Sequence, residues 1–383
     1  MVSASVSMKV VLISYHYFGS KLRAGFHHLA EAYWDLGWDV VFVTAPLSPL
    51  SRLVRDQRLR DPLRAEANRS TTVRERLSSY VLYSRLHPAN LRLGLLNRVS
   101  GPLLVGTFQR TKLGALAPQV ATADLIVFES TPAIVLAPVI RELAPDARLV
   151  YRVSDYLEIL RVHPAVLEVE RQVLPLFDHV SAASRYSAQK LGTVRDDVVF
   201  EQHGIDKELF DAETTSPYDG GVNAIWVGKA QLDPFFLDTA SARLPDWTFH
   251  MVGPTKRPLS RPNIVWHGEV EFRRTIPFIQ HADVGLAAFG GHEGRVPGHY
   301  LADSSGKILQ YAYCGLPVVT TSPLRSDRPH VFYYEFGDAD TVETALRAAL
   351  AAGKRPELGK EIASWHDLAA SLAGGLRPGP PDG

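Results

Sequence analysis

The 383-residue sequence predicts an α/β protein built from two doubly wound, parallel-sheet domains in tandem. Three observations lead there. The chain exceeds one average domain, since single cores stop growing well before this length. Short apolar runs alternate with helical patterns from end to end. That alternation breaks once, at 211–221 (DAETTSPYDGG), where turn formers replace apolar residues, and then restarts.

In the first half, strands are expected at 9–14, 39–44, 125–129, 149–153, 180–183 and 198–202. Several are continuously apolar, as strands covered on both faces should be. Helices are expected between them, at 25–36, 132–143 and 185–191. After the break, strands are expected at 223–227, 248–252, 264–267, 284–288 and 317–320, with helices at 234–242, 272–281, 305–314 and 339–351. Two similar Rossmann-like units result: 1–210, carrying a basic insertion at 46–115, and 211–360. The segment 361–383 is expected to pack back toward the first unit. Open α/β sheets bind ligands outside the carboxyl ends of their strands, so the expected site is the cleft the two domains face.

Composition narrows the function less than the order of elements does. Apolar residues make up 46% and charged residues 21%, and the formal net charge is zero, so the whole-chain balance names no partner. Cys314 is the only cysteine, which precludes a disulfide framework and fits a reducing compartment; within its apolar run it reads as a buried, inert thiol. The apolar stretch near the start is too short for a secretory signal, and no run reaches the roughly 20 apolar residues that span a bilayer. The expected location is the cytoplasm, with any membrane contact peripheral.

The segment 46–115 departs from this neutrality. It carries 13 Lys/Arg against 4 Asp/Glu, a balance of +9, with leucines, valines and tyrosines interleaved, as over 77–96. That is the composition of basic amphipathic helices on an anionic surface, here the inner face of the cytoplasmic membrane. A solvated helical insertion with locally paired arginines is the alternative. No nucleic-acid-binding motif accompanies the charge, so nucleic acid is not expected as a partner.

The stretch 300–321 (YLADSSGKILQYAYCGLPVVTT) is the most informative. Asp303, Ser304 and Ser305 are N-cap types ahead of an apolar helical pattern, Gly315 stops it, and Pro317 opens a strand. A helix start presents free N–H groups and partial positive charge to an anion. Lys307 falls in the first turn, and Gln310 follows on the same face. Together they offer charge and hydrogen bonds to a diphosphate and its sugar; an ordinary capped helix with a solvent-facing lysine is the competing reading.

This stretch resembles the donor-binding helix of GT-B glycosyltransferases, ending in the pattern C-G-x-P-V-V. More narrowly the chain resembles glycosyltransferase family 70, that of the membrane-associated glucuronosyltransferase of xanthan biosynthesis. The matching pieces are VFES (127–130), LVYRVSD (149–155), HGID (203–206), SPY (216–218), TFH (248–250) and YLADSS (300–305) with Lys307, Leu309, Gln310 and Tyr311. Weaker echoes are Arg23–Ala24 with His27, and His87–Pro88 with Asn90. They occur in the same order over nearly the whole chain. The resemblance implies a GT-B fold and an inverting, metal-independent transfer from UDP-glucuronic acid to a lipid-linked oligosaccharide in exopolysaccharide biosynthesis. It implies Asp155 as general base and Ser304, Ser305, Lys307 and Gln310 as donor contacts, joined by the loop Gly228, Lys229 and Ala230. At 229–230 a serine–methionine pair of the relative reads Lys–Ala here, which leaves backbone contacts to uracil open but not side-chain ones.

Asp155 has independent support. It follows an apolar strand, so it lies at a carboxyl edge, where a base must reach the acceptor hydroxyl. A capping box with Glu158 is the structural alternative. Glu129, also at a strand end, is a second candidate base or acceptor contact. His203 and Asp206 leave the last strand of the first domain and are candidate cleft contacts, against a hinge turn at Gly204. His27 is a candidate on the acceptor side, against a half-buried helical histidine.

Several patterns are absent. Gly19 and Gly25 do not complete a G-x-G-x-x-G fingerprint, and there is no G-x-x-x-x-G-K-S/T loop. Asp338–Ala339–Asp340 mimics a D-x-D metal motif but opens a helix, where capping explains it. Retaining GT-B enzymes often carry two glutamates eight positions apart in the donor helix region; here those positions are Ala302 and Gln310, which favours inversion. The alternatives kept open are another nucleotide sugar, a UDP-N-acetylglucosamine epimerase, and a non-catalytic nucleotide-sugar-binding scaffold.

Overall fold

The computed structural model describes residues 7–20, 23–60, 66–228, 232–254, 256–290 and 298–378. It divides into two compact units, residues 1–204 with 365–383, and residues 205–364.

The first unit is built on an eight-stranded sheet. Its strands are β1 (Lys9–Ser14), β2 (Asp39–Leu47), β3 (Ser70–Arg74), β4 (Leu77–Tyr83), β5 (Leu125–Glu129), β6 (Arg148–Val153), β7 (His179–Ala182) and β8 (Val199–Phe200). Their order is β3-β4-β2-β1-β5-β6-β7-β8, parallel except for the edge strand β3. Val10–Ile13 of β1 and every residue of β5 are buried, which is why both read as unbroken apolar runs. The order reverses direction between β1 and β5, so the chain folds outward in both directions from that pair.

The second unit carries six parallel strands: β9 (Val222–Val227), β10 (Trp247–Val252), β11 (Ile264–Gly268), β12 (Val284–Ala287), β13 (Val318–Thr321) and β14 (Val331–Tyr334). Their order is β11-β10-β9-β12-β13-β14, with the reversal between β9 and β12. Gly285 lets the Tyr311 ring lie against β12, where a Cβ would come within 2.6 Å of it. The Tyr311 hydroxyl then donates to the Ile225 carbonyl and accepts from the Val227 N–H, both at 3.0 Å, tying its helix to β9.

Two expectations need correction. The break between units falls at 204/205 rather than in 211–221. Ile205 and Phe210 bury in the core of the second unit, and Tyr218 packs against it, so the turn-rich stretch lies on that unit's surface. The chain returns at 364/365, and the helix Trp365–Ala373 places Leu368, Ala369 and Leu372 in the core of the first unit, beside Phe26, Leu29 and Tyr33. The segment 77–96 is not one amphipathic helix. Residues Leu77–Tyr83 form β4, an integral strand whose β-branched and aromatic side chains bury on the sheet, and helix begins only at Gly94. Two arginines of the basic segment 46–115 are spent locally: Arg58 is buried and donates to the carbonyls of Tyr15 (2.8 Å) and Pro46 (2.7 Å), while Arg74 pairs with Glu31 and lies 3.7 Å over Trp34.

Burial also marks the histidines. It lowers His27, His87 and His250 to a pKa of about 4. The unfolded chain binds protons on these rings near pH 6.5 while the folded chain does not until about pH 4. Protonation therefore favours unfolding, and stability is lost as pH falls through that window, by up to about 1.4 kcal/mol per pH unit for His27 and for His87 and by less for the more solvated His250. Urea midpoints measured at pH 7 and pH 5 are expected to drop; equal midpoints would contradict this.

Candidate active site

In the first unit, chemistry collects where β1, β5 and β6 end. Glu129 closes β5 and is buried; it accepts from the Ser14 hydroxyl at 2.6 Å and the Tyr15 N–H at 3.0 Å. Its other oxygen lies 3.9 Å from His16 Nε2. Burial raises the Glu129 pKa, His16 and the Ser14 hydroxyl lower it, and Asp155 raises it in turn. Ser130, the next residue, accepts the Asp155 N–H at 3.1 Å. Asp155 itself is exposed just beyond β6. Residues 157–161 form turns rather than a helix, so the capping alternative for Asp155 has no helix to cap.

Arg152, on β6, is buried and donates to Ser181 Oγ (2.6 Å) and to the carbonyls of Glu201 (2.7 Å) and Gln202 (3.1 Å). It thereby fixes the strand that carries Asp155 and the chain that leads to His203. His203 lies beside Trp365, with ring centroids 6.0 Å apart, and burial followed by the charge of Arg152 lowers its pKa to about 3. Asp206, in the second unit, caps the helix Lys207–Asp211 by accepting the Leu209 N–H at 3.2 Å. His27 is fully buried, and both its nitrogens are engaged: Nδ1 accepts from the Ala24 N–H and Nε2 donates to the Tyr17 carbonyl, each at 3.0 Å. It holds a helix start in place, so the acceptor-side role expected of it gives way to a structural one.

In the second unit, the helix expected at 305–314 is Gly306–Tyr313, and a further short helix precedes it. Gly298–Ser304 comes first, and the Ser304 hydroxyl donates back to the Tyr300 carbonyl at 2.9 Å. Ser305 then caps Gly306–Tyr313, accepting from the Ile308 N–H. Lys307 does not face solvent. Its amine is sealed from water without a hydrogen-bond partner among the described residues, 2.8 Å from the centroid of the Trp226 ring and 4.9 Å from that of Phe289. Burial lowers its pKa well below the usual lysine value. Gln310 is half-buried one turn on.

Trp226 is on β9 and Phe289 just past β12, so the amine sits at the sheet's reversal point, at the carboxyl ends, where such folds bind ligands. Gly228 ends β9 at φ +121, and a Cβ there would lie 3.6 Å from Lys307 Cε. Gly253 permits the close approach of that turn, since a Cβ on it would stand 2.7 Å from the Gly228 oxygen. Lys229 and Ala230 lie outside the described residues. Elsewhere, Asp338 accepts from the Asp340 and Thr341 N–H groups and is a cap, and burial pushes the Cys314 thiol up to about 12.

The sequence singled out Asp155, Glu129 and Lys307. It passed over Trp226 and Phe289, which read as core residues; a tryptophan two residues before a strand-ending glycine was the available signal.

Comparison with known proteins bears on the family and the fold. Residues 12–183 match the family described as the N-terminal domain of the glucuronosyltransferase GumK. The chain is 32% identical over 359 residues to the UDP-glucuronate:glycolipid 2-beta-glucuronosyltransferase of Xanthomonas campestris pv. campestris, covering 93% of this chain and 87% of that protein. A putative teichuronic acid biosynthesis glycosyltransferase, TuaH, of Bacillus subtilis (strain 168) is 24% identical over 196 residues, 45% of this chain and 48% of that one. Among solved structures, Anabaena Alr3699/HepE in complex with UDP and glucose aligns with a TM-score of 0.58 at 15% identity, over 97% of this chain and 100% of that one. The sucrose-phosphate synthase of Thermosynechococcus elongatus aligns with a TM-score of 0.56 at 14% identity, over 96% and 94%. Two reversed parallel sheets, with an acidic edge on the first and a buried lysine on the second, thus occur in a sequence that belongs to the GumK-like family of GT-B glucuronosyltransferases.

Proposed function

We propose that the chain transfers glucuronic acid, with inversion, from UDP-glucuronic acid to a lipid-linked oligosaccharide during exopolysaccharide biosynthesis. The observation that carries this reading is the buried, unpartnered amine of Lys307 at the reversal point of the second sheet. Such an amine is costly to leave unpaired, and an anionic ligand supplies what it lacks. In the proposed reaction the UDP diphosphate meets Lys307 and the start of its helix, with Ser304, Ser305, Gln310 and the turn at 228–230 completing the donor contacts. Asp155 takes the proton of the acceptor hydroxyl as its oxygen attacks the anomeric carbon; the bond to the diphosphate breaks and UDP leaves. Positive charge from Lys307 and the helix start beside the leaving diphosphate, present once the ligand is bound, supports a reaction that needs no metal ion. The Xanthomonas relative, by name, uses UDP-glucuronate and a glycolipid. The test is incubation with radiolabelled UDP-glucuronic acid and lipid extracts, in chelator, followed by NMR of the anomeric centre. Label in a β-linked glycolipid is expected. Binding without transfer would favour a scaffold, and interconversion of UDP-sugars an epimerase.

The acceptor's lipid calls for contact with the inner face of the cytoplasmic membrane. The helix Gly94–Gln109 supports it. It buries Asn97, Gly101, Leu104 and Phe108, and it leaves Leu95 (75%), Val99 (65%) and Leu103 (64%) exposed. Arg92, Arg98 and Arg110 are exposed around this apolar stripe. An apolar face bordered by arginines is suited to lie in an anionic interface, each arginine contributing about 1 kcal/mol. Changing Leu95, Val99 and Leu103 together to glutamine is expected to abolish cosedimentation with phosphatidylglycerol vesicles while leaving UDP affinity unchanged. Retained vesicle binding would refute this role for the helix.

A further inference from the structure

Around the Lys307 amine, the described neighbours on three elements contribute groups without charge. β9 offers the Trp226 ring face, the turn after it Gly228, and the chain beyond β12 the Phe289 ring. Burial lowers the pKa of the amine. The two rings meet edge-on, with centroids 5.7 Å apart. Trp226 has a second contact: its indole N–H donates to the Gly228 carbonyl at 3.1 Å, and the Gly228 N–H in turn donates to the Val252 carbonyl at 2.9 Å. One side chain therefore holds both the lysine and the turn beside it.

Magnitudes decide the state of this amine. A ring face offers a cation about 0.5–2 kcal/mol. Removing an ammonium from water costs several kcal/mol even after relaxation. The aromatic seat falls short, so the resting amine is held uncharged. A diphosphate brought to it reverses the balance, because opposite charge at hydrogen-bond distance favours the protonated form.

We propose that Trp226 and Phe289 are positioning residues for the donor site, which seat Lys307 as a desolvated amine in the empty protein so that a nucleoside diphosphate binds together with a proton. This deepens the UDP-sugar reading and rests on it. The proton comes from solvent and ends on Lys307 Nζ, no covalent bond to the ligand being made or broken. Linkage then makes diphosphate affinity fall as pH rises through the range between the resting and the liganded amine.

The experiment is titration calorimetry of the whole protein with UDP at about pH 8.5, where the terminal phosphate of UDP is already fully ionised and an ordinary lysine is still protonated. Buffers of low and high ionisation enthalpy are compared. The expected result is a buffer-dependent enthalpy corresponding to uptake of up to about one proton per UDP. The uptake should vanish in Lys307→Arg, whose guanidinium stays charged, and in Lys307→Met. Phe289→Leu is expected to weaken UDP about 3–10-fold in the wild-type background and not at all in Lys307→Met, the signature of action through the lysine. Trp226→Phe, which keeps a ring and loses the indole N–H, serves as the second variant, with melting curves to verify folding. UDP binding with no buffer dependence, or losses in Phe289→Leu and Trp226→Phe that persist without the lysine, would overturn this inference alone. Failure to bind UDP at all would instead overturn the donor reading beneath it.

Discussion

Asp155→Asn is expected to lower turnover about 10²–10⁴-fold, the range general-base catalysis supplies, while UDP affinity stays within twofold of wild type. Asparagine keeps the shape and loses the ability to accept the acceptor's proton. The local frame is held by other groups as well: the Asp155 N–H donates to Ser130 Oγ, and β6 behind it is held by the fully buried Arg152. The side chain is exposed, so the substitution leaves no cavity. Glu129 gives the control. It is buried and already accepts from Ser14 and Tyr15, so Glu129→Gln disturbs a packed network and should reduce stability as well as rate. Single-turnover kinetics and calorimetry on the two variants separate these cases. Lost UDP affinity with full turnover in Asp155→Asn would remove it as the base.

Lys307→Met is expected to do two opposite things. UDP affinity should fall roughly 10–150-fold, corresponding to about 1.5–3 kcal/mol for a hydrogen bond to a charged group. Thermal stability should rise at the same time. The resting amine is buried without a hydrogen-bond partner among the described residues, and a thioether of similar length fills the same space over Trp226 with no polar group to desolvate. A gain in melting temperature joined to a loss of ligand affinity is what a site that stores instability for binding should show. Parallel thermal and calorimetric measurements decide it; a variant both less stable and unchanged in affinity would identify Lys307 as a structural residue.

The sequence carried the parallel sheets well where strands are buried on both faces. Residues 9–14 and 125–129 read as strands because nothing polar interrupts them except at their ends. The helix at 272–281 was legible for the opposite reason, its apolar residues recurring on one face. Reading failed where local composition misleads. Leu77–Tyr83 is surrounded by arginines, and charge suggested a membrane helix where a mostly buried strand pairs in parallel with β2. Val331–Tyr334 is a short edge strand whose first residues are half-buried, too weak a signal beside its turns. The helix expected at 132–143 divides, because Pro132 and Pro138 each open a helical segment of their own. Of the candidate site, the helix bearing Lys307 was legible from its cap and its glycine stop. The aromatic seat was not: Trp226 and Phe289 meet the lysine only because the sheet sets β9 beside β12, an adjacency that no local pattern encodes. For His27 the sequence offered a structural alternative without deciding it, since its partners are backbone atoms of a preceding loop.

The second unit is an insertion within the first, entered at Ile205 and left at Ser364, where the Ile205 N–H donates to the Ala363 carbonyl at 3.0 Å. The core under the Gly25–Asp35 helix is completed only by Leu368, Ala369 and Leu372, and Tyr33 waits for the Ala369 carbonyl, 2.9 Å from its hydroxyl. During synthesis the amino-terminal half therefore stays unfinished, with an apolar groove open, until the ribosome has made residues 365–373. The later-made unit has its sequence in one continuous stretch and can close first. Vectorial translation thus does not fix the order of folding here: the part of the chain that starts earliest is sealed last.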